Sequence, residues 1–290
     1  MSSYLQVLLA VCVFAMMLCI GLDFSLAHWR GVLRSPRPLW VGLLAQNLVV
    51  PLAGLLVAWC FRDQPEIALG IVLVVAAPGG PVANAFVHLA RARVDVSVSL
   101  TTLNGLGSLL TVPLIANLGF VWLAGDQVDL RLPVWPTLRH IVLIILLPIA
   151  LGLLCQRLGG PLLGRLRRYG RHAALGLLLL ILALVFYGNA ARIAAGFTQM
   201  LPAAAALCAA MLLLSYGFSR IFVVDREVRF AIAYEVSVHN VPLAILFAES
   251  LLGRPELAGF IAVYAPVIAA FALTGAWLHR RQRTEAAREA

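Results

Sequence analysis

The sequence contains no lysine, and charged residues of all kinds make up only 12% of its 290 positions. Hydrophobic residues account for 62%. Apolar runs of about 20 residues recur along the whole chain, and a helix of that length crosses the roughly 30 Å hydrocarbon layer of a bilayer. The composition therefore predicts an all-α membrane protein with the lipid bilayer as its main surroundings.

Other features argue against nucleic-acid binding and catalysis. The net charge of +9 comes from arginines in short loops, where they orient the chain in the membrane, so we predict no nucleic-acid partner. No nucleophile–base pair or metal motif appears, and the loops are too short for a catalytic domain, so we predict no enzymatic activity. The cysteines lie in apolar segments without metal-ligand spacing and are read as buried apolar residues. They are Cys12, Cys19, Cys60, Cys155 and Cys208.

Nine transmembrane helices are predicted. They cover residues 4–24, 38–61, 66–93, 95–122, 135–157, 171–194, 199–222, 227–252 and 256–279. With the C-terminus in the cytoplasm, 17 of the 22 arginines lie on the cytoplasmic side. The excess of positive charge on cytoplasmic loops then predicts a multi-pass protein of the cell (inner) membrane, with its N-terminus outside.

Two of these spans are predicted to be discontinuous. Pro78-Gly79-Gly80-Pro81 lies at the centre of span 66–93, and Pro242 follows His239-Asn240 at the centre of span 227–252. Proline removes a backbone donor and glycine is flexible, so neither stretch continues an α-helix. Each broken span is the third of a set of four, and the two sets begin on opposite sides. This pattern predicts inverted repeats, with the fifth span extra, and is typical of a transporter site.

One carboxylate, Glu235, lies about eight residues inside its apolar span, where a charge costs on the order of 3 kcal/mol. Gln46, Asn84 and Thr101 fall at a similar depth, roughly 10–13 Å from the inner boundary, and Ser97 lies one turn below Thr101. A carboxylate with amide and hydroxyl oxygens is a ligand set for a hard cation. Na⁺ fits one negative charge best, and H⁺ on Glu235 is the alternative.

Each of these residues also has a purely structural interpretation. Ser97 and Thr101 can bond back to carbonyls of their own helix. Gln46 can link helices, and Asn84 can cap the helix beside the break. Glu235 is the hardest to explain structurally, because it needs a wet cavity, a partner or an ion.

The motifs Ala77–Asn84, Val96–Thr102 and Glu235–Asn240 resemble, in order and spacing, those of the bile acid:sodium symporter family. The resemblance implies a core domain that holds two crossing broken helices and a smaller panel domain that moves against it. The core would comprise 38–122 and 199–279, the panel 1–37 and 123–198, and the cytoplasmic tail 280–290. Substrates of the family are small organic anions such as bile acids, steroid sulfates, pantoate and pyruvate.

The resemblance also implies the ligands. A first Na⁺ site would comprise Asn84, Ser97, Thr101 and Glu235. A second would comprise Gln46, Glu235, His239 and the carbonyls of Val236 and Val238. The organic anion would lie against Gly80, Pro81, Asn84, His239 and Asn240.

Two departures from the family pattern bear on the ions. Ala83 replaces a serine, which removes a hydroxyl from the first site, and His239 replaces a glutamine, which removes an amide oxygen from the second. A neutral imidazole has one acceptor nitrogen and is a poor Na⁺ ligand. The sequence thus predicts a Na⁺-coupled carrier of a small organic anion. An H⁺-coupled or uncoupled carrier of the same fold and a membrane receptor that binds its ligand without moving it are the alternatives.

Overall fold

The computed structural model describes residues 3–23, 36–124, 130–158, 169, 173, 176, 179–180 and 182–289. Regular structure within these ranges is helical, and the only β-type pairing among them is a single isolated bridge. The helices are α1 (Ser3–Asp23), α2 (Arg37–Leu44 and Val50–Cys60), α3 (Pro65–Ala76), α4 (Pro81–Leu89), α5 (Val94–Ala124), α6 (Val134–Ile141 and Leu147–Leu158), α7 (Ala190–Phe222), α8 (Arg226–Ser237), α9 (Val241–Leu246) and α10 (Leu257–Glu289).

Five helices in the described ranges are long and apolar enough to cross a membrane. They are Arg37–Cys60, Val94–Leu123, Val134–Gln156, Ala190–Phe222 and Leu257–Glu285. The pairs α3 with α4 and α8 with α9 occupy the two spans predicted to be discontinuous. Most of predicted span 171–194 lies outside the described residues, so the total of nine stays a prediction.

One predicted boundary is wrong. The structure has no connection between residues 194 and 199, because α7 runs unbroken from Ala190 to Phe222. This stretch is rich in alanine, the strongest helix former, and the helix is interrupted earlier, at Asn189. The residues predicted as a cytoplasmic tail, 280–290, continue the last helix as far as Glu289, and their place in the cytoplasm stays a prediction.

Two helices contain a π-helical turn that is followed by a proline. Ala45–Val49 joins the two parts of α2, and Val142–Leu146 joins the two parts of α6. Pro51 and Pro148 follow these turns and lack the N–H that would bond to the carbonyl four residues earlier. The ladder widens there, as is common next to functional residues.

The half-helix α3 lies at the centre of the core. Every residue from Ile67 to Ala76 is buried. Glycines on its neighbours permit the close packing: a Cβ on Gly54 would lie 2.4 Å from Val75 Cγ1, and one on Gly119 would lie 2.7 Å from Val72 Cγ1. This close packing fixes the position at which α3 ends and the first interruption begins.

A second close contact joins α1 to α6. A Cβ on Gly21 would lie 2.2 Å from the carbonyl oxygen of Ile149, and one on Gly152 would lie 2.5 Å from that of Leu18. Small residues let helix backbones approach in this way inside membranes. Both helices belong to the predicted panel, but the division into core and panel stays a prediction.

Candidate cation site at the helix crossing

The interruption between α3 and α4 follows from proline and glycine chemistry. α3 ends at Ala76, and Ala77 is extended, with ψ 140°, as expected for a residue before proline. α4 begins at Pro81, where the missing N–H costs no hydrogen bond because the first turn has no partner for it. The predicted unwound centre of this span is therefore confirmed.

The second interruption lies between α8 and α9. α8 ends at Ser237, and α9 begins at Val241 with Pro242 in its first turn. Asn240 caps α9, because its Oδ1 accepts a hydrogen bond from the Leu243 N–H at 3.2 Å. The predicted break in this span is also confirmed.

The two interruptions cross each other. Gly79 and His239 form the isolated antiparallel bridge, and the Asn240 N–H donates to the Pro78 carbonyl at 3.0 Å. A Cβ on Gly79 would lie 2.5 Å from the carbonyl oxygen of Glu235 and 2.6 Å from its Oε1. Only glycine fits such a space, and the crossing therefore sets the first interruption directly against Glu235.

Glu235 lies at the centre of a hydrogen-bonded network and is 0% exposed. The Thr101 hydroxyl donates to its Oε1 at 2.5 Å, and the Ser97 hydroxyl lies 2.7 Å from its Oε2. Asn84 Nδ2 donates to Thr101 Oγ1 at 3.2 Å. Three helices, α4, α5 and α8, thus bring together the four residues predicted for the first Na⁺ site.

In this network, more pairs of oxygen atoms lie within hydrogen-bond distance than there are protons to form hydrogen bonds between them. Ser97 Oγ lies 2.6 Å from Asn84 Oδ1 and 2.7 Å from Glu235 Oε2, yet a hydroxyl has one proton to donate. Thr101 Oγ1 likewise lies 2.5 Å from Glu235 Oε1 and 3.0 Å from the Ser97 carbonyl. A cation among these oxygens, or a proton on Glu235, would relieve their repulsion, and the oxygen ligands are of the kind that hard cations prefer.

No basic side chain neutralises Glu235 within the part of the chain that the structure describes. The ion pairs found there lie near helix ends. They join Arg93 to Asp95, Arg254 to Glu256, Arg281 to Glu285 and Arg283 to Glu227. A buried carboxylate without such a partner requires a bound cation or a proton.

A family comparison agrees with this geometry. The model of the Sodium Bile acid symporter family matches residues 10–196. The chain belongs to this family. The predicted resemblance is therefore confirmed, and the family together with the five long apolar helices makes the chain a multi-pass membrane protein.

Individual relatives carry related names. "Probable sodium/metabolite cotransporter BASS1, chloroplastic" of Arabidopsis thaliana is 28% identical over 240 residues, which cover 82% of this chain and 58% of that protein. "Uncharacterized sodium-dependent transporter YocS" of Bacillus subtilis is 31% identical over 117 residues, 40% of this chain and 35% of that protein. "Ileal sodium/bile acid cotransporter" of Oryctolagus cuniculus is 31% identical over 114 residues, 39% of this chain and 32% of that protein. The chain thus spans 58% of the length of the first relative and less of the other two.

Of the residues predicted for a second Na⁺ site in this symporter-family chain, Glu235 also belongs to the network described above, and His239 lies at the crossing. Gln46 is buried in the π-helical turn of α2, and its Oε1 has no hydrogen-bond partner. His239 Nδ1 donates to the Ser237 carbonyl at 3.0 Å, so its Nε2 holds the lone pair, and Nε2 also has no partner. Buried polar atoms of this kind require a hydrogen-bond partner or a ligand, which an ordered water or a bound ion can supply. The other two predicted ligands are the carbonyls of Val236, in the last turn of α8, and Val238, just after it.

The residues predicted for the organic anion surround the start of α4. Gly80 is the N-cap of α4, and no side chain caps this helix end. A Cβ on Gly80 would lie 3.4 Å from Asn240 Cβ, and Asn240 Nδ2 is buried without a partner. Asn240 Nδ2 is therefore a free donor beside this helix N-terminus. Pro81, Asn84 and His239, the other predicted contacts, lie on or beside the same crossing.

Sequence reasoning missed two residues near the site. The Tyr264 hydroxyl donates to the Ser237 carbonyl at 3.0 Å and so anchors the end of α8. Asn104 is 3% exposed, and neither of its amide atoms has a partner. Asn104 follows Thr101 by three residues, and this helical spacing was the available signal. Tyr264 gave no comparable signal, since tyrosine is common in transmembrane helices.

Proposed function

We propose that this chain is a secondary transporter that couples Na⁺ entry to the uptake of a small organic anion by alternating access. The observation that carries the proposal is the surplus of close oxygen pairs around Glu235. Family membership and the sodium-related names of the relatives support it. No enzymatic step belongs to the proposal.

Na⁺ would bind where Asn84, Ser97, Thr101 and Glu235 meet. One carboxylate balanced by one monovalent ion leaves the buried site neutral, whereas a divalent ion would leave a net charge at a depth where charge is costly. Glu235 supplies the counter-charge, and the neutral oxygens replace the water that the ion loses. Because these ligands come from three helices, the ion would hold those helices in one arrangement.

The organic anion would bind at the N-terminus of α4. Backbone N–H groups at a helix N-terminus and the helix dipole favour negative charge. The unpartnered amide of Asn240 adds a donor on the opposite side of the crossing. The carboxylate of a small organic acid matches both groups, so its binding energy would depend on the same crossing that holds the ion.

Alternating access would arise from motion between two groups of helices. α1 and α6 are held together by the contacts of Gly21 and Gly152 and would move as one body. Gly105 of α5 faces α6 without a side chain, and a Cβ there would lie 3.4 Å from Ile145, so the contact at this point is loose compared with that between α1 and α6. Rocking of one helix group against another around a fixed site is how such transporters expose it to either side.

Uptake in liposomes tests Na⁺ coupling. Purified protein reconstituted with an inward Na⁺ gradient should accumulate radiolabelled small carboxylates such as pyruvate or pantoate, and substituting K⁺ for Na⁺ should lower the rate at least about tenfold, a change of about 1.4 kcal/mol. Equal uptake in K⁺ and Na⁺ would reject Na⁺ coupling. Saturable ligand binding with no accumulation in the vesicles would instead identify a receptor.

The unpartnered Nε2 of His239 favours a second candidate, a carrier that moves one Na⁺ and uses H⁺ where the family motif supplies a second Na⁺ site. His239→Gln restores the amide oxygen of the family motif. We expect the Hill coefficient for Na⁺ activation to rise from about one to about two, because a second oxygen site becomes available. Uptake measured across a Na⁺ series at fixed pH checks this, and an unchanged coefficient would remove His239 from the ion pathway.

A further inference from the structure

We propose that Arg283 is a positioning residue that fixes the inner ends of α4 and α8, the two half-helices that carry Asn84 and Glu235. The proposal rests on the Na⁺-coupled function above and adds a control point outside the site. Arg283 lies on the part of α10 that extends beyond the predicted last span, which ends at residue 279.

A single nitrogen of Arg283 links the two half-helices. Its Nη1 lies 3.0 Å from Glu227 Oε1, in the first turn of α8, and donates to the Arg91 carbonyl, just after α4, at 2.5 Å. Nη1 carries two hydrogens, so it can serve both acceptors at once. The neighbouring Gln282 Oε1 accepts a hydrogen bond from Arg226, which adds a second contact between α10 and the start of α8.

The end of α4 has a conformation that needs support. Arg91 has φ 58°, in the left-handed region that favours glycine. The Ala92 N–H donates to the Val87 carbonyl at 3.0 Å, which closes the helix end in the manner of a Schellman motif. The Arg91 carbonyl then points away from its own helix, and the guanidinium of Arg283 satisfies it. The strained residue and the bridging arginine therefore stabilise each other.

The position of Arg283 gives it influence over the cation ligands. Asn84 and Arg91 are separated by about two helical turns, as are Glu227 and Glu235, so each ligand lies about 10–12 Å from the Arg283 contact along a rigid helix. The oxygen contacts around Glu235 are 2.5–2.7 Å long. A slide of a few tenths of an ångström between α4 and α8 would change them. Arg283 holds that relative position without touching the ion.

The test compares Arg283→Gln with Arg281→Gln. Arg281 lies on the same helix and is exposed, but its ion pair is with Glu285 of α10 itself, so it matches the charge change without linking the half-helices. We expect Arg283→Gln to raise the half-saturating Na⁺ concentration for uptake about three- to tenfold, with the maximal rate within about twofold of wild type. Arg281→Gln should match wild type, and Arg283→Lys should restore part of the loss.

A second measurement separates this proposal from the proposed function. Hydrogen exchange in Na⁺-free buffer should be faster in α4 and α8 of Arg283→Gln than in those of Arg281→Gln, because local opening sets exchange rates. Equal exchange, or an equal half-saturating Na⁺ concentration in the two variants, would overturn the role of Arg283. Uptake by the wild-type protein that does not depend on Na⁺ would contradict the proposed function. The role of Arg283 would then be decided by the hydrogen-exchange comparison alone.

Discussion

Glu235→Gln should abolish the Na⁺ dependence of uptake and lower the rate in Na⁺ at least about 100-fold. Glu235 is the one carboxylate in the network, and glutamine keeps its shape while removing the charge that balances the ion. Removing one partner of a buried charge pair costs about 3–5 kcal/mol, which corresponds to about two to three and a half orders of magnitude. Initial rates of uptake in Na⁺ and in K⁺ measure the effect.

The same substitution should leave folding intact. The glutamine Oε1 can still accept from one of the two hydroxyls, Ser97 or Thr101, and its NH2 group can donate to the other. The substitution also removes a buried charge that costs free energy without its ion. In Na⁺-free buffer we expect the apparent melting temperature of the variant to equal or exceed that of wild type. We expect the increase in melting temperature that Na⁺ causes in wild type to disappear in the variant. Glu249→Gln is the control, since Glu249 is also buried but lies in the π-helical turn after α9. Full Na⁺-dependent uptake by Glu235→Gln would contradict the central assignment.

Gly79→Ala should lower Na⁺-dependent uptake by more than about tenfold. The new methyl group would lie 2.5 Å from the carbonyl oxygen of Glu235 and 2.6 Å from its carboxylate, and backbone cannot retreat as a flexible side chain does. Overpacking of this kind costs about 1–3 kcal/mol. The clash also displaces Glu235 itself, so the loss should fall on Na⁺ affinity as well as on stability.

Gly80→Ala provides the matched control. Its Cβ would lie 3.4 Å from the nearest atoms of Asn240, and its extended backbone (φ −134°, ψ 170°) accepts alanine. We expect Gly80→Ala to keep the stabilisation by Na⁺ that Gly79→Ala loses. Thermal unfolding in a series of Na⁺ concentrations compares the two. Equal behaviour would mean that Gly79 is not required for contact with the cation site.

The interruptions, and the meeting of the residues proposed for the first cation site, could be predicted because their signals are local. Proline and glycine disrupt a helix wherever the rest of the chain lies, so Pro78 and Pro242 mark their own breaks. Depth is also local, since the rise per residue places Asn84, Thr101 and Glu235 at one level before any packing is known. These residues do meet in the structure.

Features that depend on packing could not be predicted. The hydrogen bond of Tyr264 to the Ser237 carbonyl joins two helices through residues that are 27 positions apart in the sequence. No periodic pattern in the sequence predicts this contact. Arg283 and Arg91, whose carbonyl it contacts, are 192 positions apart in the sequence. Their contact requires α10 to continue beyond the end of the predicted membrane span. The π-helical turn that holds Gln46 precedes Pro51, but a proline alone does not determine whether a helix kinks or widens.

The crossing of the two interruptions has a thermodynamic consequence. Asn84 and Gly80 lie one turn apart at the start of the same short helix, so the coupled ion and the carried acid would share one piece of backbone. Equilibrium linkage then requires reciprocity: the factor by which the acid tightens Na⁺ binding equals the factor by which Na⁺ tightens binding of the acid. A carboxylate that binds here but is too large to be transported would bind in proportion to Na⁺ without any transport, so that the protein would act only as a sodium sensor.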